Sequence, residues 1–133
     1  MPARKTAPSN PAEHAPALLS MLAQLKLYHW TTQSYARHKL TDSLHDALTE
    51  AVDRFVETAM GRYGRPRCTT ASACTLAVYG DASFPAQLAK YAAFVQGALS
   101  ASLTLPRDAD LASLRDELLH LLTQARYLAT LGG

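Results

Sequence analysis

The chain has 133 residues, 48% of them apolar, and a formal net charge of only +2. That length suits one domain, which buries roughly two-thirds of the surface its unfolded chain exposes, and the excess of Ala and Leu over β-branched residues favours an all-α fold. The weak charge excludes the positive field that holds basic domains on nucleic acid, and no run of about 18 apolar residues is present to cross a membrane.

Residues 1–15 read as a Pro- and Ala-rich tail with Arg4 and Lys5 as its only cations, and the domain proper is expected over 16–133. An apolar h-region is lacking in that tail, so the expected location is the cytoplasm. A first helix is predicted over 16–32, where Leu18, Met21, Leu22, Leu25, Tyr28 and His29 recur at the three-and-four spacing of one face. His29 therefore points with the leucines, where a hydrogen-bonded core histidine is the commoner role than a metal ligand.

The second helix is predicted over 35–62, capped by Ser34 or Thr41. Leu44, Leu48, Val52, Phe55 and Ala59 form its apolar face. His38 and Asp42 are four apart, as are Asp53 and Glu57, and at about 100° per residue these four side chains, with Asp46, lie far round the cylinder from the apolar residues. His29 and His38 with Asp42, Asp53 and Glu57 make two imidazoles and three carboxylates, a nitrogen and oxygen donor set that iron, manganese and zinc accept. A solvated face of an amphipathic helix is the plain alternative. If the stripe does bind metal, its remaining ligands must come from another surface, which places the site at an interface between copies.

Residues 64–83 carry no helical period. A connection of this length fits a crossover, in which the chain travels back along a long helix before starting the next in the same direction. Arg62, Arg65 and Arg67 suit a helix C-terminus and solubility better than phosphate binding. Cys68 and Cys74 lack the neighbouring ligands of a structural zinc site and are read as ordinary side chains in a reducing cytosol rather than as a disulfide.

A third helix is expected over 84–103, capped by Ser83 and ended by Pro106, with Phe84, Leu88, Tyr91, Val95 and Leu99 inward. Asp108 or Asp110 caps a fourth over 109–131, striped by Leu111, Leu114, Leu118, Leu121, Ala125 and Leu128. Glu117 and His120 form one E-x-x-H pair. Such pairs occur on two helices of di-iron bundles, but this one lies off the leucine stripe and has no second copy.

The run His29-Trp30, then His38-x3-Asp42-x10-Asp53-x3-Glu57, resembles the ferroxidase-centre signature of the Dps-type mini-ferritins. The pattern also resembles a group of small ferritin-like proteins, some from large DNA viruses, that share Tyr28-His29-Trp30 and the same spacing. The resemblance is strongest from Tyr28 to Gly61, and the four-helix layout with a crossover extends it over the rest. It implies a ferritin-like bundle in which His29, His38 and Asp42 of one subunit and Asp53 and Glu57 of a two-fold neighbour hold a di-iron centre, with Trp30 beside the reaction. Implied with them are Fe(II) oxidation by peroxide or dioxygen, iron storage, and a homo-oligomer through the second helix, a dimer at least and a cage in the family. The interval from His29 to His38 is shorter than in mini-ferritins, and the two cations of the tail argue against DNA compaction. Two other readings remain: a ferritin-like interaction module without metal, and a di-metal enzyme using Glu57, Glu117 and His120 within one subunit.

Overall fold

The computed structural model describes residues 10–67 and 76–131, and every regular element among them is helical. Four long helices form the body: α1, Ala15–Thr31; α2, Tyr35–Tyr63; α3, Phe84–Phe94; and α4, Ala109–Leu128. A π-turn at Val95–Leu99 prolongs α3 before the chain leaves it at residue 101. Short 3-10 turns at Pro11–His14 and Asp81–Ser83 lead into α1 and α3. Part of the expected tail is thus ordered. Asn10 caps the first of these turns by accepting from the Ala12 amide, Pro11 and Ala12 are buried, and the Asn10 amide donates to the Gly64 carbonyl at 3.0 Å.

Helix directions follow from which ends touch. Three residues join α1 to α2, so the two run antiparallel. Phe84, which starts α3, stacks on Tyr28 near the end of α1, with ring centroids 4.3 Å apart, and the Arg37 guanidinium near the start of α2 lies over the same ring. At the other end Phe94 meets His14 edge-on. Helix α3 therefore runs parallel to α2, starting at the end of the bundle where α2 begins. Helix α4 begins where Arg62 and Tyr63 bind Asp108 and Asp110, and runs back antiparallel to α2. Cys68 and Cys74 lie outside the described residues.

One core fills the space between the helices. Leu44, Leu48, Val52, Phe55 and Ala59 are all buried, as are Leu18, Met21, Leu22, Leu25 and Tyr28 across from them. Burying each large apolar side chain is worth about 1.5–3 kcal/mol, which fixes the rotation of α2 and leaves its polar stripe outside. Ser34 caps α2 by accepting from the Arg37 amide, and Gly64 ends it at φ +88°, a backbone state that favours glycine.

Three expectations are corrected. Ser83 makes no side-chain cap bond, because the 3-10 turn at Asp81–Ser83 already carries the chain into α3. Asp108 stands at the start of α4 without capping it; its buried carboxylate instead accepts from the Thr104 amide and the Tyr63 hydroxyl. The inner face of α4 is Leu111, Leu118, Leu122 and Ala125, with Leu114 and Leu121 half-buried and Leu128 exposed.

Candidate metal half-site between α1 and α2

The turn at residues 32–34 brings the last turn of α1 against the first turns of α2, and the His29 and His38 imidazoles stack there, 4.1 Å between centroids and 15° from parallel. Each ring is held by its Nδ1. His38 Nδ1 lies 3.0 Å from the His29 carbonyl, which can only accept, so this nitrogen carries the proton and Nε2 keeps its lone pair. His29 Nδ1 lies 2.9 Å from the Thr41 hydroxyl, whose single hydrogen goes to the Arg37 carbonyl at 2.7 Å. With its hydrogen assigned to that shorter carbonyl contact, Thr41 accepts from His29, and in the neutral ring this tautomer leaves the second Nε2 with a lone pair as well. Paired imidazoles with anchored Nδ1–H groups and open Nε2 atoms are how metal-binding histidines are set up.

Asp42 completes the near side, its Oδ1 3.9 Å from His29 Nε2. His29 is buried while Asp42 stays exposed, so the group opens outward from the edge of the core. Among the described residues no three His, Cys, Asp or Glu side chains close into a metal-ligand group. What the chain assembles alone is a histidine pair with one carboxylate at its margin. Asp53 and Glu57 lie on the same stripe of α2, exposed and without an ion pair in the described residues, but about 16 and 22 Å further along the axis from Asp42 at 1.5 Å per residue. They cannot join the histidines of their own chain.

The surrounding face belongs to both helices. Leu19 and Trp30, 63% and 69% exposed, flank the stripe from α1, and Leu19 shares a shallow hollow with Val52, Asp53 and Val56 of α2. Trp30 therefore stands beside the histidines on open surface. One residue escaped the sequence reading. His45, one turn beyond Asp42, has a buried Nδ1 with no hydrogen-bond partner, and burial, then the Lys26 charge, hold its pKa below the ordinary value. Its signal was present in the spacing, three residues from Asp42 and seven from His38. Glu117 is engaged elsewhere, accepting from Arg54 at 2.8 Å, and His120 is exposed, so the alternative pair has no inward site.

No helix among the described residues is long and apolar enough to cross a membrane. A family model described as "Family of unknown function (DUF5856)" matches residues 29–128, beginning at the first histidine of the pair. The uncharacterized 14.6 kDa protein in the mobD-ri intergenic region of Enterobacteria phage T4 is 36% identical over 58 residues, 44% of this chain and 45% of that protein. The chain thus spans less than half of the length of this relative. No solved structure matches.

Proposed function

The chain belongs to that family, DUF5856, and we propose that it binds Fe(II) as substrate at a site shared by two copies, on a ferritin-like bundle, and oxidises it there. The observation that carries this reading is the stacked His29–His38 pair with both Nδ1 atoms anchored and both Nε2 lone pairs open beside Asp42. A solvated polar face needs no such arrangement. The spacing supports the second copy. In an antiparallel two-fold pairing of α2, the register that sets Asp42 against Asp53 of the other copy also sets His38 against its Glu57, because both pairs are centred midway between Ala47 and Leu48. Leu19 and Trp30 supply apolar surface around that contact. The parallel run of α2 and α3 across a long connection supports the ferritin-like topology.

Chemically, each composite site would offer two imidazole nitrogens and three carboxylates, hard enough to hold Fe(II) and to favour the ferric product. Two Fe(II) ions give up one electron each; peroxide takes both, its O–O bond breaks, and two hydroxides result. The chain's own part is to hold the ions, through His29, His38, Asp42 and the other copy's Asp53 and Glu57, and to orient both imidazoles through their Nδ1 bonds.

The double substitution Asp53→Ala and Glu57→Ala tests this. It should abolish peroxide-dependent Fe(II) oxidation while changing stability by no more than about 0.5 kcal/mol, as is usual for exposed side chains. Mixing it with a His38→Ala, Asp42→Ala variant should restore about a quarter of the activity, since random pairing makes half the dimers mixed and each holds one intact site. A monomer in light scattering, or no recovery on mixing, overturns the shared site.

A further inference from the structure

The two histidines flank the short turn at residues 32–34. Thr32 and Ser34 are both extended, and the turn carries the bonds from the Thr32 amide to the Tyr28 carbonyl at 2.8 Å and from the Ser34 amide to the Thr32 hydroxyl at 3.2 Å. Into this end comes Asp81, just before α3, after Ala77 has bonded Gln24 and Tyr79 has stacked on Tyr28. Its Oδ1 accepts from the Tyr28 hydroxyl at 2.6 Å and from the Thr32 hydroxyl, and its Oδ2 accepts from the Gln33 amide at 3.2 Å. Its carbonyl accepts from the Arg37 guanidinium, which also donates to the Tyr28 hydroxyl at 3.3 Å. Tyr28 immediately precedes His29, and Arg37 immediately precedes His38. One residue, some 50 positions away in sequence, thus grips the neighbour of each imidazole and the turn between them.

From this convergence we infer that Asp81 is a positioning residue for the metal site, clamping α1 to α2 so that the His29 and His38 rings stay stacked with both Nε2 atoms open. The inference rests on the metal-binding reading for its purpose, but the clamp itself acts in the metal-free protein. Its carboxylate suits this role, because hydrogen bonds from Thr32 and then Tyr28 hold its pKa below the usual value, so at neutral pH it is an anion with every oxygen accepting. Residues that orient metal ligands without touching the ion are typically worth 10- to 100-fold in affinity, roughly, and Asp81 acts on both ligands at once.

The test reads the imidazoles directly. In metal-free wild type, nitrogen-resolved NMR should find His29 and His38 each locked as the Nδ1–H tautomer. In Asp81→Ala, which removes the carboxylate's hold on Tyr28, Thr32 and Gln33 but keeps the carbonyl contact to Arg37, the His29 ring should average between tautomers, and Co(II) affinity should fall about tenfold. Asp81→Asn, which keeps one acceptor oxygen, should recover part of both effects and guards against a variant that fails to fold. Asp110→Ala, which breaks the Arg62 ion pair at the opposite end of α2, controls for general destabilisation and should leave the tautomers fixed. Locked tautomers in Asp81→Ala overturn the inference, as does equal averaging in Asp110→Ala. Wild type that shows the locked pair but binds no Co(II) overturns the metal reading instead, so the two failures are distinguishable.

Discussion

The two ends of α2 both gather polar side chains, and they differ in what they leave open. At the C-terminal end Asp108 is fully buried and saturated. Tyr63 donates to its carboxylate at 2.6 and 2.7 Å, the Thr104 amide at 2.7 Å and Arg62 at 3.3 Å, while Arg62 also forks onto Asp110 at 2.8 and 2.9 Å. Nothing there is left to bind a ligand. At the N-terminal end His29 and His38 are held through their Nδ1 atoms, with both Nε2 atoms left open, and His45 Nδ1 has no hydrogen-bond partner. A closed network holds the fold together; an open one is where the proposed metal would bind.

The closed end should break hardest. Asp108→Ala would leave the Tyr63 hydroxyl, the Thr104 amide and Arg62 facing an empty site, and the expected loss is about 3 kcal/mol in urea unfolding, with Fe(II) oxidation retained in the folded fraction. Acid should reproduce the effect in wild type. Burial pushes the Asp108 carboxyl up, but Tyr63, the Thr104 amide and the charges of Arg107 and Arg62 outweigh it and leave the pKa below the ordinary 3.8. A depressed folded value gives stability that is complete above the unfolded value and lost as pH falls through the folded one, so wild type should weaken below about pH 4. Asp108→Ala should show a flatter acid branch. An unchanged slope would mean that Asp81 and Asp110, also depressed, carry the acid response.

The same contrast explains what the sequence made legible. The apolar face of α2 was readable because Leu44, Leu48, Val52, Phe55 and Ala59 offer one consistent period, and the four helices were readable from the same periodicity. The face of α4 was not, because leucines at 114, 118, 119, 121 and 122 fit several rotations and only packing selects Leu118 and Leu122. The π-turn at Val95–Leu99 leaves no mark on a 3.6-residue period. Asp108 looked like a cap by the local rule, and its true partner Tyr63 lies 45 residues away. At the open end the candidate ligands were visible as residue types at helical spacing, whereas Thr41 and Asp81, which orient them, become visible only through tertiary contacts.

His45 sharpens the contrast with a smaller effect. If its buried Nδ1 is simply unsatisfied, His45→Leu removes a desolvated polar atom at little change in volume and should raise the stability of metal-free protein by about 1 kcal/mol in urea melts. Such a gain has no counterpart among the saturated groups around Asp108. A loss of stability would show that the imidazole makes a contact worth more than its desolvation costs.

The smallest effect is expected from the pair that resembles a metal motif by sequence alone. Glu117 bonds Arg54 at 2.8 Å, with the two side chains 42% and 47% exposed, and an ion pair so open to water contributes roughly 0–1 kcal/mol. His120 is exposed one turn further on. Glu117→Ala with His120→Ala should therefore shift the urea midpoint by less than about 0.5 kcal/mol of stability and leave the Fe(II) oxidation rate at the wild-type value. The helical geometry demands this outcome: both side chains sit on the outer side of α4, whereas Leu118 and Leu122 beside them turn into the core. A collapse of oxidation in this variant alone, with Asp53→Ala and Glu57→Ala still active, would move the chemistry from the face between α1 and α2 to the outside of α4, and the open end of α2 would then need another explanation for its two anchored imidazoles.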